Sequence, residues 1–197
     1  MNREEIFLEK INTFSDLHMP RWNDLPEIEL YMDQVITVTD KYLGAFSVSG
    51  DPLLTPSMIN NYVKNGVIPP PNKKKYSREH LAKLIVICIL KPVMEISAIA
   101  CIMECNEKLF GTEKMLNDMS EMFEKRISAL SSDIGKAFGK CDKTEALLCA
   151  VSAENAVSSV TEKIIASYAY AAFKKEDAHA KSDKKKDEDK NSASSSK

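Results

Sequence analysis

Ser57, Asn60, Asn61 and Lys64 fall close together in "TPSMINNYVKNG", a stretch that opens on a capping hydroxyl and closes on glycine. These residue types suit nucleic-acid chemistry. An Asn side chain can pair with adenine N6 and N7, which is worth ~1–3 kcal/mol of discrimination, and Ser can donate to or accept from any base edge. Lys64 suits a phosphate. The loop "VIPPPNKKKY" follows and adds Lys73, Lys74 and Lys75. Such lysines hold phosphates and set register without reading sequence. Taken alone, each feature also has an ordinary explanation. A lysine run in a loop is usually solvated charge, and Asn61 and Asn65 sit where a helix end needs capping.

The elements that would position these groups are written locally. Thr55 stands where a capping oxygen is needed, and Pro56 follows at the first helical position, where its missing N–H is no loss. Asn65-Gly66 supplies a left-handed stop. Ile59, Tyr62 and Val63 share the inward side; Ser57, Asn60, Asn61 and Lys64 face outward or nearly so. The prolines of the next loop exclude both helix and central strand. Ser77 caps another helix, with Glu79 in its first turn and Leu81, Leu84, Ile85, Cys88 and Ile89 along it. "LIVICIL" could be a buried strand, but the capped, polar lead-in "SREHLAK" favours a core helix.

Upstream, Ile28, Met32, Val35, Thr39, Tyr42, Leu43 and Phe46 recur at helical steps and predict a helix over 27–46, with Asp24 as cap and Pro26 in its first turn. Downstream of Pro92, residues 94–103 form a further helix with Ile96, Ile99 and Met103 inward. Two longer amphipathic segments follow Asn106. One is marked by Leu116, Met119, Phe123, Ile127, Leu130, Ile134 and Phe138; the other by Val157, Val160, Ile164, Tyr168 and Ala171. They are joined across 139–144. The expected fold is all-α with at most a small β wing.

The net charge is −2, so any nucleic-acid footprint must be local. Between Asp51 and Met94 seven Lys and Arg face only two acids, a local balance of +5. Five cysteines in apolar surroundings, with no CxxC spacing, read as buried reduced thiols of a cytoplasmic protein. The acidic start "MNREEIFLEKINTF" is no signal peptide, and the apolar run at 84–90 is too short to span a bilayer. Residues 174–197 hold Lys, Asp, Glu, Ser and Ala with nothing to bury, and are expected to form a disordered, solubilising tail.

A helix, a tight turn, a short second helix and a Pro-led basic loop together resemble the winged helix-turn-helix of MerR-like bacterial transcription regulators. Thr55 matches that family's cap, Ile59 its buried Ile, Tyr62 its second Tyr and Gly66 its Gly. Val67 and Ile68 match the apolar pair, Pro70 the Pro, Lys74 the wing Arg and Tyr76 the last Tyr. Asn60 and Asn61 replace the family's Arg and first Tyr, and the wing is several residues shorter. "WNDLPEIELYMDQV", "LTPSMINNYVKNGVIPPP" and "KKKYSREHLAKL", in order over residues 14–103, are similar to the bacterial domain-of-unknown-function family 1836, itself MerR-like in pattern.

The resemblance implies double-stranded DNA as partner, contacted by Ser57, Asn60, Asn61, Tyr62, Lys64, Lys73, Lys74, Lys75, Tyr76 and Arg78, although tyrosines so placed more often plug a core. It divides the chain into a winged helix-turn-helix domain with N-terminal helices at 1–105, a helical dimerisation or effector region at 106–173, and the tail. A homodimer is expected, with no cofactor and no membrane association. The sequence does not name an effector ligand.

Catalysis is not expected. His18, His80 and His179 are scattered, no Ser/His/Asp or paired-carboxylate arrangement has usable spacing, and the glycines form no phosphate loop. Cys101 and Cys105, one helical turn apart, would suit a two-thiolate site, but no His lies nearby in sequence and buried thiols are the simpler reading. The rival function is a protein-interaction module built on a degenerate winged helix.

Overall fold

The computed structural model describes residues 2–47, 50–139 and 144–194, with side chains as far as 174. The described residues are all-α. Helix α1 spans Arg3–Ser15, α2 Met32–Leu43, α3 Pro56–Lys64, α4 Arg78–Leu90, α5 Ile96–Phe138 and α6 Thr144–Ser194. Two compact units divide the chain, Met1–Val151 and Ser152–Lys197. No helix among the described residues is long and apolar enough to cross a membrane.

Helix α4 is the hub of the first unit. His80 through Cys88 are buried on every side of it, which is why "LIVICIL" lacks a polar face while its capped start still makes it a helix. Helices α2 and α5 both pack against α4. Ser77 N–H donates to His80 Nδ1 at 3.1 Å, so the imidazole caps the helix in the role a Glu often plays. Burial pushes the Cys88 thiol up to about 11, only partly countered by Lys91, which keeps it neutral and inert.

Helix α5 also anchors the extended segment before α2. Ser120 Oγ donates to Pro20 O at 2.7 Å, Asn117 Oδ1 accepts from Trp22 N–H at 2.8 Å, and Glu124 Oε1 accepts from Met19 N–H at 2.8 Å. These three residues share one helical face, and Met19 beneath them is fully buried.

Several expectations need correction. The helix expected over 27–46 begins at Met32, and Ile28 is 71% exposed. Residues 27–30 lie outside it because Leu30 pairs as an isolated bridge with Tyr76. Asp24 does not cap α2; it lies in a 3₁₀ turn at Trp22–Asp24, where its carboxylate accepts from Arg21 N–H at 2.7 Å. No break occurs at Asn106. Helix α5 runs through that point and kinks instead at Gly111, whose φ of 82° and ψ of 161° only glycine adopts readily. Cys101 and Cys105 are half-buried and Cys149 is exposed, so only Cys88 fits the expected burial; Cys141 lies outside the described residues.

Candidate nucleic-acid interface

Helix α3 has the expected ends. Thr55 Oγ1 accepts from Met58 N–H at 3.2 Å, Pro56 follows the cap, and Gly66 adopts φ 68°. Ile59 and Tyr62 are buried, while Ser57, Asn60, Asn61 and Lys64 are exposed. Asn61 is partly committed to the helix end, since its Oδ1 accepts from Asn65 Nδ2 at 3.0 Å. Asn60 has no such tie.

The basic loop is a two-residue hairpin. Asn72 N–H donates to Lys75 O at 3.0 Å and Lys75 N–H to Asn72 O at 2.8 Å. The two central residues, Lys73 and Lys74, have φ of 47° and 66°. Positive φ at both positions is what a type I′ hairpin requires, and Asn-Gly is its usual occupant. Lysine there is strained, by roughly 1–2 kcal/mol per residue. The strain places two ammonium groups at an exposed tip.

Leu30 joins the hairpin to the start of α2. A cleft of ≈ 440 Å³ results, and Asn60, Lys74, Tyr31 and Asp33 all line it. The outward face of α3 and the hairpin tip therefore form one surface. Tyr31 and Asp33 were not singled out from sequence. Their membership depends on the Leu30–Tyr76 bridge, for which adjacent residues give no signal.

The remaining site residues are less available. Tyr62 and Tyr76 are buried, 5% and 2% exposed; Tyr62 belongs to the core, and Tyr76 backs the cleft from within it. Burial raises the pKa of both phenols. Arg78 is held inward: its guanidinium meets Glu27 at 3.1 Å and lies over the Trp22 ring at 5.3 Å. Lys83 is buried against Glu107 at 2.8 Å, and the Lys91 ammonium bonds the Leu53 carbonyl. Three of the seven bases counted from sequence are thus used inside the fold. The outward positive charge reduces to Lys64 and the three hairpin lysines.

No curated protein and no solved structure matches the chain. A family model described as a domain of unknown function, DUF1836, matches residues 20–126, more than half of the sequence. The match takes in α2, α3, the hairpin, α4 and the part of α5 that anchors residues 19–22, so the chain belongs to the DUF1836 family.

Proposed function

We propose that this chain is a DNA-binding transcriptional regulator with a MerR-like winged helix-turn-helix, acting in the cytoplasm as a binding protein and not as an enzyme. Helix α3 enters the major groove and presents Ser57 and Asn60 to base edges, while Lys64, Lys73, Lys74 and Lys75 hold the backbone. The observation that carries this reading is the cleft shared by Asn60 and Lys74, a base-reading side chain beside a phosphate-binding one. The retained strain at Lys73 and Lys74 supports it, because such strain tends to persist at functional sites.

One short recognition helix covers few base pairs, so useful affinity requires two copies on a two-fold site. The second unit supplies a surface for that. Its helix exposes Val157, Val160, Ile164 and Tyr168 along one stripe, and an apolar stripe of this kind gains from burial against a partner. We take the partner to be a second copy of the chain.

The test is selection of genomic fragments by the full-length protein, followed by a gel shift on the selected fragment at two salt concentrations. A retained, sequence-dependent and salt-sensitive complex is expected. A protein that retains no fragment at low salt overturns the reading. Asp33 in the cleft and the pairing of Arg78 with Glu27 favour a second reading, a protein-binding module on the same scaffold, which that outcome would leave standing.

A further inference from the structure

Tyr31 sits between the Leu30–Tyr76 bridge and the first turn of α2. Its backbone is held on both sides. Leu30 exchanges two hydrogen bonds with Tyr76, and Tyr31 N–H donates to Gln34 Oε1 at 2.9 Å. The side chain, by contrast, is 51% exposed. The ammonium of Lys75 stands 5.6 Å from its ring centroid, and the ring lines the cleft with Asp33, Asn60 and Lys74. A lone exposed tyrosine on a surface is ordinary. A rigidly mounted one, converging with an Asn and two lysines, is a preorganised contact that loses little entropy on binding.

The charges around the ring decide what it would meet. Asp33 lines the cleft and repels phosphate, whereas Lys73, Lys74 and Lys75 on the hairpin attract it. A nucleic-acid backbone drawn to the hairpin would run beside the Tyr31 ring and leave a base edge to Asn60. A tyrosine hydroxyl is a hydrogen-bond donor, so it can reach a phosphate oxygen without taking the place of a counterion as an ammonium does.

We propose that Tyr31 clamps the DNA backbone, its ring packed on a deoxyribose and its hydroxyl donating to the adjacent phosphate. The clamp rests on the DNA-binding reading above, and it makes Tyr31 a register-setting contact alongside Lys75.

The test compares the full-length protein with Tyr31→Phe, Tyr31→Ala and Lys75→Ala on the fragment selected by the parent and on an unrelated fragment, across a salt series. Tyr31→Phe should weaken both complexes by ~10-fold, about the worth of one hydrogen bond to a charged group. Its log–log salt slope should stay that of the parent, whereas Lys75→Ala should flatten the slope by ~0.9. Tyr31→Ala should be weaker still, because the ring no longer packs on the sugar. Should Tyr31→Ala fail to fold, Tyr31→Phe keeps the ring and still decides the matter. If Tyr31→Phe binds both fragments as tightly as the parent, the clamp is overturned while DNA binding stands. A parent protein that holds no fragment overturns the DNA reading, and the clamp with it.

Discussion

Leu30 and Tyr76 exchange two backbone hydrogen bonds, Leu30 N–H to Tyr76 O at 2.9 Å and Tyr76 N–H to Leu30 O at 2.8 Å. The pair ties the approach to α2 to the exit of the basic hairpin. Tyr76 is buried and meets the His80 ring edge-on at 5.6 Å, so the hairpin is fixed to the core helix as well as to α2. A turn tip held in this way keeps its lysines beside α3. That constraint makes the strained turn a testable feature rather than a loose loop.

Replacing Lys73 by Asn and Lys74 by Gly puts the preferred pair into the turn. Relief of the two left-handed lysines, roughly 2–4 kcal/mol less the ~1 kcal/mol of extra chain entropy that glycine loses on folding, should stabilise the protein by about 1–3 kcal/mol, read as a higher urea midpoint at unchanged slope. The same variant should bind DNA more weakly on every sequence, its salt slope falling by ~0.9 for each phosphate that is no longer neutralised. Greater stability with unchanged affinity and slope would show that the two lysines are only solvated.

Asn60→Ala should relax preference at one base position by ~1–3 kcal/mol and leave nonspecific binding nearly intact, as measured by binding-site selection beside the parent. Asn61→Ala should act differently. It removes the acceptor of the Asn65 amide, so a small loss of α3 stability and a sequence-independent loss of affinity are expected. A parent-like preferred site with full discrimination in Asn60→Ala would remove Asn60 from base reading.

Local chemistry made α3 legible. Thr55, Pro56 and Gly66 act on their own neighbours, and the helix begins and ends where they stand. The same holds for Ser77 before α4. Where tertiary contacts decide, the sequence was less informative. Ile28 fits the helical period of α2, yet the Leu30–Tyr76 bridge holds the preceding backbone extended and leaves Ile28 in solvent. The +5 local charge overstated the outward patch, because Arg78, Lys83 and Lys91 meet partners far along the chain. Helix α1 carries a local signal of the same kind as α3: Asn2 and Glu5 form a reciprocal capping box.

The Lys83–Glu107 pair gives a pH signature. Burial raises the Glu107 pKa, but the bonds from Lys83 and Thr112 outweigh it and leave the carboxyl below its ordinary value. A depressed folded value means that the stabilisation is present above the unfolded pKa of about 4.3 and is lost as pH falls through the folded one. Glu107→Gln should lower the melting temperature at pH 7 and narrow its gap to the parent below about pH 4. A constant gap across that range would exclude the pair as the cause.

Gly111→Ala isolates the kink of α5. A Cβ built there meets nothing within 4 Å, so the penalty comes from the backbone alone. At φ 82° and ψ 161° it should be ~1–3 kcal/mol by urea denaturation. A neutral outcome would mean that α5 straightens through this point at little cost.

Assembly is the remaining prediction. Val157, Val160, Ile164 and Tyr168 are 64%, 58%, 44% and 73% exposed in the second unit, at helical spacing. If this stripe meets its copy, a fully buried aliphatic side chain there contributes about 1.5–3 kcal/mol. Val160→Lys with Ile164→Lys should then raise the dimer dissociation constant by at least ~100-fold. The first unit should keep its melting temperature, since neither residue belongs to its core. Removing residues 174–197 should leave the dimer intact, because the stripe ends before them. Sedimentation equilibrium at tens of micromolar reads all three proteins. A monomeric parent would sink the self-association and assign the stripe to a different partner. A dimer that survives both lysines would move the interface off α6.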